Sequence, residues 1–409
     1  LFHQYLPDDA MQPVASMSPH PTAHPGYLSA GKAATAGIHN LCLLYTGGVG
    51  TSSVHQYDVQ KLMPLAGYMT VHGIVKDFFM DGFLLLAQYS PLLNGRSFAV
   101  DLPGPPSRQE DWLALFDEYF NVEANLSALE ECSRMISRKL PGKRPATVKV
   151  VLGIPTPDHR CLDWDGKGFS LATASRRVET TSWAMKELID RWGRARFRHL
   201  ALAGFYYMTE QGSWNDPVMQ AFPRQCRCYG LKSFAIPGIY SSWMTEFTRA
   251  GFDCVAFQSS HAFSRSDGRP GCYLLKNAGR IAREFGMGME MELPYDVLEA
   301  AGRQKVRDYI DMAYIQGWSG AFKAYFQSYN LIKSLADSSD PESRALYDEL
   351  YKLSRLSKDQ QVNPGDLLPR KIMQINGQGK FTSDAGRLFL RLNIEGHKGM
   401  FKMQELSAN

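Results

Sequence analysis

A (β/α)8 barrel is the fold class this sequence predicts, and three observations predict it. Eight short apolar runs recur between residues 39 and 327, most of them separated by a stretch with helical character. Parallel strands need such long crossovers and bury both faces, so they read as continuous apolar runs. No GxGxxG or P-loop follows any run, which weakens the open nucleotide-binding sheet, and eight strands over roughly 300 residues favour a closed TIM barrel.

Taken in order, residues 1–36 carry many Pro, His, Ala and Ser without periodicity and read as an extended N-terminal arm. The barrel spans 37–360. Its first strand is His39-Asn-Leu-Cys-Leu-Leu-Tyr45, closing in Thr46-Gly-Gly48; the second lies in 78–90 around Asp81 to Gln88. Helical residues Glu110 to Lys139 precede the third, Thr147 to Pro155, and an amphipathic helix near Trp183 to Trp192 precedes the fourth, His199 to Glu210. Leu231 to Ile236, Phe252 to Gln258, Gly286 to Glu292 and Ser319 to Gln327 complete the eight. Helices around Trp243 to Ala250, Leu274 to Phe285 and Gln304 to Gln316 lie between the later strands, and one around Ala345 to Leu353 closes the barrel. Beyond residue 360 the pattern changes. Lys371 to Ile375, a Gly-rich turn at Asn376 to Gly379, then Arg387 to Asn393 and Met400 to Met403 suggest a small C-terminal β appendage over 361–409.

Composition bounds the function. The chain has 409 residues, 44% of them hydrophobic and 12% aromatic, enough for a large core. Its 45 basic and 41 acidic residues are interspersed, with no basic run of the kind that grips nucleic acid. The seven cysteines form no CxxC pair and no sequence cluster with histidine, which argues against a zinc site and a disulfide framework; Cys42 and Cys254 read as core thiols. Asp163-Trp-Asp-Gly-Lys-Gly168 looks like a fragment of a calcium loop, but Lys167 takes an acidic position and no bidentate Glu follows. We therefore expect no metal and no cofactor. No run approaches the roughly 18 apolar residues of a membrane span, and a start at Leu1 rather than Met is compatible with a removed export leader.

In barrel enzymes the site lies at the carboxyl ends of the strands. The residues there are Tyr45, Gln88, Asp158, Tyr206, Glu210, Tyr240, Gln258, His261, Glu290, Glu292, Tyr325 and Gln327. Aromatics, amides and carboxylates together suit a sugar: rings stack on its faces, polar groups bind its hydroxyls, and two acids cut. Glu210 at the end of the fourth strand and Glu292 at the end of the seventh are the expected catalytic pair; the plainer alternative is that each pairs with a loop Arg or Lys. Glu290 lies one layer deeper. Ala321, Lys323, Tyr325 and Gln327 share a face, so Lys323 can enter the lumen at a similar depth on the neighbouring strand, and we expect it to form a buried ion pair with Glu290. The rival reading makes Lys323 a Schiff-base nucleophile of a lyase, and a third class is a barrel that binds carbohydrate without turnover.

Leu44-Tyr-Thr-Gly-Gly48, Met80-Asp-Gly-Phe-Leu-Leu-Leu86, Lys149-Val-Val-Leu-Gly-Ile-Pro155, Gly204-Phe-Tyr-Tyr-Met-Thr-Glu210, Ile236-Pro-Gly-Ile-Tyr240 and Gly286-Met-Gly-Met-Glu-Met-Glu292 follow one another as in the domain of unknown function 4855 family. The chain resembles that family over roughly residues 38 to 355. The resemblance implies a (β/α)8 glycoside hydrolase of an exported polysaccharide-degrading system, secreted or periplasmic, with a carbohydrate substrate. It matches Glu210 to the strand-four acid/base, and Glu290 and Glu292 to the strand-seven pair, which supplies the nucleophile. Thr209 stands where an Asn usually precedes the acid in the wider glycosidase clan, which leaves the contact to the sugar 2-hydroxyl to Gln258 or Tyr240.

Overall fold

The computed structural model describes residues 26–142, 147–209, 216–241, 244–245, 250–264 and 272–356, and the backbone of 380–384, 387–394 and 397–401. The chain divides into two compact units after Gln360. In the first, eight parallel strands close into a barrel in chain order: β1 (Asn40–Tyr45), β2 (Gly82–Leu86), β3 (Val148–Ile154), β4 (Leu200–Tyr207), β5 (Lys232–Ala235), β6 (Cys254–Phe257), β7 (Gly288–Glu292) and β8 (Lys323–Phe326). β1 pairs with both β2 and β8, so the ring has no exposed edge. Each strand falls inside the apolar run that marks it in the sequence.

Among the described residues the α-helices are α1 (Val59–Ala66), α2 (Gln109–Tyr119), α3 (Leu126–Lys139), α4 (Ala174–Ala195), α5 (Pro217–Cys228), α6 (Tyr273–Phe285), α7 (Ala300–Ile315), α8 (Leu331–Asp337) and α9 (Pro341–Ser354). The helical stretch expected over 110–139 is two helices. Buried Asn125 breaks it with a φ of 53°, and its side chain accepts from Tyr57 N (3.0 Å) and donates to Glu118 O (2.7 Å). α1 and α5 escape the periodicity because proline punctuates them. Pro64 and Pro223 lie inside, where the missing N–H weakens the ladder. Pro217 sits in the first turn of α5, where proline is favoured, behind the cap of Asp216 on Val218 N (2.8 Å). Two short hairpins, Gly47–Val49 with Ser53–His55 and Gly67–Met69 with Val75–Phe78, are also unheralded.

Residues 26–36 are tied to the barrel base. Leu28 N donates to Met287 O (3.0 Å) and Phe322 N to Leu28 O (2.9 Å), bridging the chain just before β7 and β8. Asp81, ahead of β2, accepts from His39 N, Asn40 N and His39 Nδ1, which fixes it at the barrel floor. In the second unit, Lys380–Asp384, Arg387–Ile394 and His397–Phe401 form a three-stranded antiparallel sheet. Residues 1–25, most of the 243–250 stretch and Lys371 to Gly379 lie outside the described residues.

Register partners in a sheet point the same way, so one contact orients the whole ring. Tyr207 of β4 packs on Phe222 of α5, ring centroids 5.1 Å apart, which makes its face the outer one. Following the register, Phe205, Leu152, Phe83, Met289, Met291, Lys323 and Tyr325 also face outward. Tyr45, Tyr206, Phe234, Glu290, Glu292, Ala324 and Phe326 face the lumen.

That phase corrects the expectation for β8. Lys323 stands in register with Met289, not Glu290, and its Nζ donates to Ser319 O (2.6 Å) and Ala321 O (3.0 Å). Tyr325 donates to Asn40 Oδ1 (3.0 Å), and Gln327 Nε2 donates to Leu43 O and to the Tyr57 hydroxyl, each at 3.2 Å. Tyr325 and Gln327 thus bind β8 to β1 and to the segment before α1, while Lys323 is held by carbonyls of its own segment. The Glu290–Lys323 pair is absent, and the Schiff-base reading falls with it: the amine is 1% exposed and turned away from the lumen.

Two glycine substitutions test the packing. A Cβ on Gly204 would lie 2.0 Å from Lys232 O, whereas one on Gly193 of α4 meets nothing within 4 Å. In urea denaturation Gly204→Ala should lose about 1–3 kcal/mol and Gly193→Ala gain roughly 0.5–1 kcal/mol. A third test concerns Lys323, whose pKa burial drives from 10.5 down to about 7 against the pull of Asp81. Between those values the unfolded chain keeps a proton that the folded chain has released, so stability rises with pH through the window. The stability of the native chain relative to Lys323→Met should therefore grow by about 1 kcal/mol per pH unit from roughly pH 7.5 to 10.

Candidate active site

β7 carries two acids to the lumen side by simple alternation, Glu290 at 2% exposure and Glu292 at 1%. Glycine brings the strand into place. Gly286 ends α6 in the left-handed conformation, φ 68°, and a Cβ on Gly288 would lie 2.4 Å from Phe322 O of the neighbouring chain segment.

The Glu292 carboxylate is held by neutral donors. Gln258 Nε2 donates to Oε1 (3.1 Å), while Ser259 Oγ (3.2 Å) and the Tyr309 hydroxyl of α7 donate to Oε2. Ser259 Oγ and the Tyr309 hydroxyl are themselves 2.8 Å apart. No Lys or Arg among the described residues pairs with this carboxylate, against the plainer alternative of a loop ion pair. Burial pushes its pKa up; hydrogen bonds from Tyr309, Gln258 and Ser259, and the nearby His261, pull it back without cancelling the rise. Burial, reinforced by Glu292, holds the Tyr309 hydroxyl well above its ordinary value, so it stays a donor.

An aromatic wall stands beside this acid. Phe326, the register partner of Glu292, meets Tyr45 edge-on at 5.6 Å, Phe263 at 5.6 Å and Tyr295 at 6.4 Å. Tyr329 adds a further contact to Tyr45 at 6.5 Å. Tyr295 is 61% exposed. Tyr240, after β5, is exposed too, and Tyr206 faces the lumen from β4.

The structure thus brings together Glu292, Gln258, Glu290, Tyr45 and, one layer behind, His261. The His261 Nε2 lies 3.2 Å from Asp308 Oδ2 and its ring stands edge-on to Tyr309 at 5.6 Å. Gln88 sits half-buried just past β2. Asp158 is buried in a fork with Arg160, whose Nε and Nη2 reach Oδ2 at 2.9 and 2.5 Å. Burial raises the Asp158 pKa, but the Arg160 side chain and backbone N–H outweigh it and hold the acid below its ordinary value. Asp163 and Asp165 accept from the backbone of Gly168, Lys167 and Phe169, so their loop is held by its own amides. Glu210 lies outside the described residues and follows Thr209, which is buried just beyond the end of β4. Sequence reasoning missed Tyr309, Ser259 and Phe326. Tyr309 comes from mid-helix, far from any strand end, while Phe326 would have emerged from the correct phase of β8.

No curated protein matches this chain. Among solved structures, a candidate alpha-L-fucosidase from Bacteroides thetaiotaomicron aligns with a TM-score of 0.39 at 14% identity, covering 85% of this chain and 99% of its own. A variant tryptophan synthase alpha-subunit from Pyrococcus furiosus gives 0.34 at 8%, covering 80% and 100%. A GH113 beta-1,4-mannanase gives 0.27 at 13%, covering 78% and 90%. Likenesses this distant carry nothing about the chemistry. Residues 40–352 match the family described as domain of unknown function (DUF4855), and the chain belongs to that family.

Proposed function

We propose that the protein is a glycoside hydrolase that cleaves a polysaccharide or oligosaccharide with retention, Glu292 serving as nucleophile and Glu210 as general acid/base. The observation that carries this reading is Glu292: a carboxylate 1% exposed at the carboxyl end of a barrel strand, gripped by three neutral donors among the described residues. Neutral donors fix its direction and support its ionised form without neutralising the charge that must attack. The aromatic wall from Tyr45 to Tyr295 offers sugar faces a stacking surface. The resemblance in the β4 and β7 motifs supplies the acid.

In this mechanism Oε1, which carries one donor to the two on Oε2, uses its remaining lone pair to form a bond to the anomeric carbon. The bond from that carbon to the leaving oxygen breaks, and the leaving oxygen takes a proton from Glu210. Water then attacks the glycosyl-enzyme, gives its proton to Glu210 and frees Glu292. Retention calls for a carboxyl separation of about 5 to 5.5 Å. On the same reading the substrate is an exported enzyme's polysaccharide, met outside the cytoplasm.

Thin-layer chromatography over a glycan panel tests the proposal. A product should appear with the native chain, fall to background with Glu292→Gln and drop by about 10²–10⁴-fold with Glu210→Gln; full activity in either variant removes the pair. Glycan affinity without any product would instead identify a binding barrel. A finer test uses Tyr309→Phe. Losing that donor raises the Glu292 pKa further, so the carboxyl keeps its proton to higher pH and the acidic limb of kcat/KM should move upward. A limb that stays put separates Tyr309 from the ionisation that matters.

A further inference from the structure

We propose that His261, Cys272 and Asp308 form a zinc-type cation site that locks the loop after β6 onto α7. Three separate segments supply them: a 3-10 turn (His261–Phe263) after β6, the residue preceding α6, and the middle of α7. One ligand atom from each lies within 4.8 Å of the other two. His261 Nε2 and Asp308 Oδ2 are 3.2 Å apart, the spacing that two ligands take around one cation bound at about 2.0–2.2 Å.

The donor set decides the metal. Imidazole, thiolate and carboxylate together suit zinc, whereas calcium and magnesium take oxygen ligands throughout. With these three protein ligands from the described residues, water would fill the fourth tetrahedral position. Loading the site forms a metal–sulfur bond at Cys272 and releases the thiol proton to solvent.

The surroundings orient these groups as outer partners of a metal do. Gln304 Nε2 donates to Asp308 Oδ1 (2.9 Å), which turns Oδ2 toward the imidazole. The His261 ring lies edge-on to Tyr309, and its backbone N–H donates to Ser259 Oγ (3.2 Å). Lys305, one turn earlier on α7, donates to Ala262 O (2.7 Å) and Ser264 O (3.2 Å), holding the same loop to the same helix. A cation here would brace the segments carrying Ser259 and Tyr309, the two hydroxyls on Glu292 Oε2.

Metal binding is read without substrate, so its outcome does not depend on the hydrolase reading. The full chain, stripped with chelator, is titrated with zinc by calorimetry and with cobalt(II) by absorption. We expect one equivalent bound, a thiolate-to-cobalt charge-transfer band, and a Tm that rises with zinc and falls on chelation. Cys272→Ser should abolish the band, and Cys272→Ser and Asp308→Asn should each weaken zinc binding by about tenfold or more. Cys228→Ser, at the exposed end of α5, should keep both. A metal-free Tm equal to that of the stripped native chain shows that each variant folds. Absence of stoichiometric zinc, or a band that survives Cys272→Ser, overturns the site.

Discussion

A carboxylate taken out of water at Glu292 is the constraint around which the barrel mouth is arranged. Removing an ion from solvent costs several kcal/mol, roughly, unless the fold supplies replacements for the lost hydration. Here the replacements are an amide and two hydroxyls, drawn from the end of β6 and from α7. The acid therefore ties together a strand end, a loop and a helix. Because none of these donors carries a charge, the raised pKa caused by burial is moderated but not reversed.

Geometry in the lumen follows from small residues as much as from acids. Gly204 and Gly288 face inward where a neighbouring backbone oxygen leaves no room for a β-carbon, and that close approach is what lets strands carrying Tyr206 and Glu290 sit in a narrow ring. The outer face has the opposite character. Tyr207 packs on Phe222 of the helical layer there, and Lys323 is accommodated because two carbonyls at the foot of β8 accept its hydrogen bonds.

The loop after β6 links the acid to its scaffold. Ser259 contacts Glu292 directly, His261 contacts Asp308 and Tyr309, and Lys305 reaches back to the loop carbonyls. The aromatic wall begins within this loop, since Phe263 of its 3-10 turn packs on Tyr295 and Phe326. Positioning of the acid and shaping of the aromatic surface beside it are thus coupled through one short segment.

Much of this was legible in the chain alone. Eight apolar runs at crossover spacing determined the barrel, because parallel strands buried on both faces leave that trace. Glu290 and Glu292 were legible as a lumen pair because two acids spaced by two in an apolar strand share one face. α1 and α5 were hidden by internal prolines that the surrounding packing tolerates. The phase of β8 was not legible either: both of its faces carry residues that could be buried, and only pairing with β7 decides which side Lys323 takes. Tyr309 on Glu292, and the convergence of His261, Cys272 and Asp308, belong to tertiary structure entirely. Their positions are far apart along the chain, and local periodicity holds no information about which helix turn comes to rest against which loop.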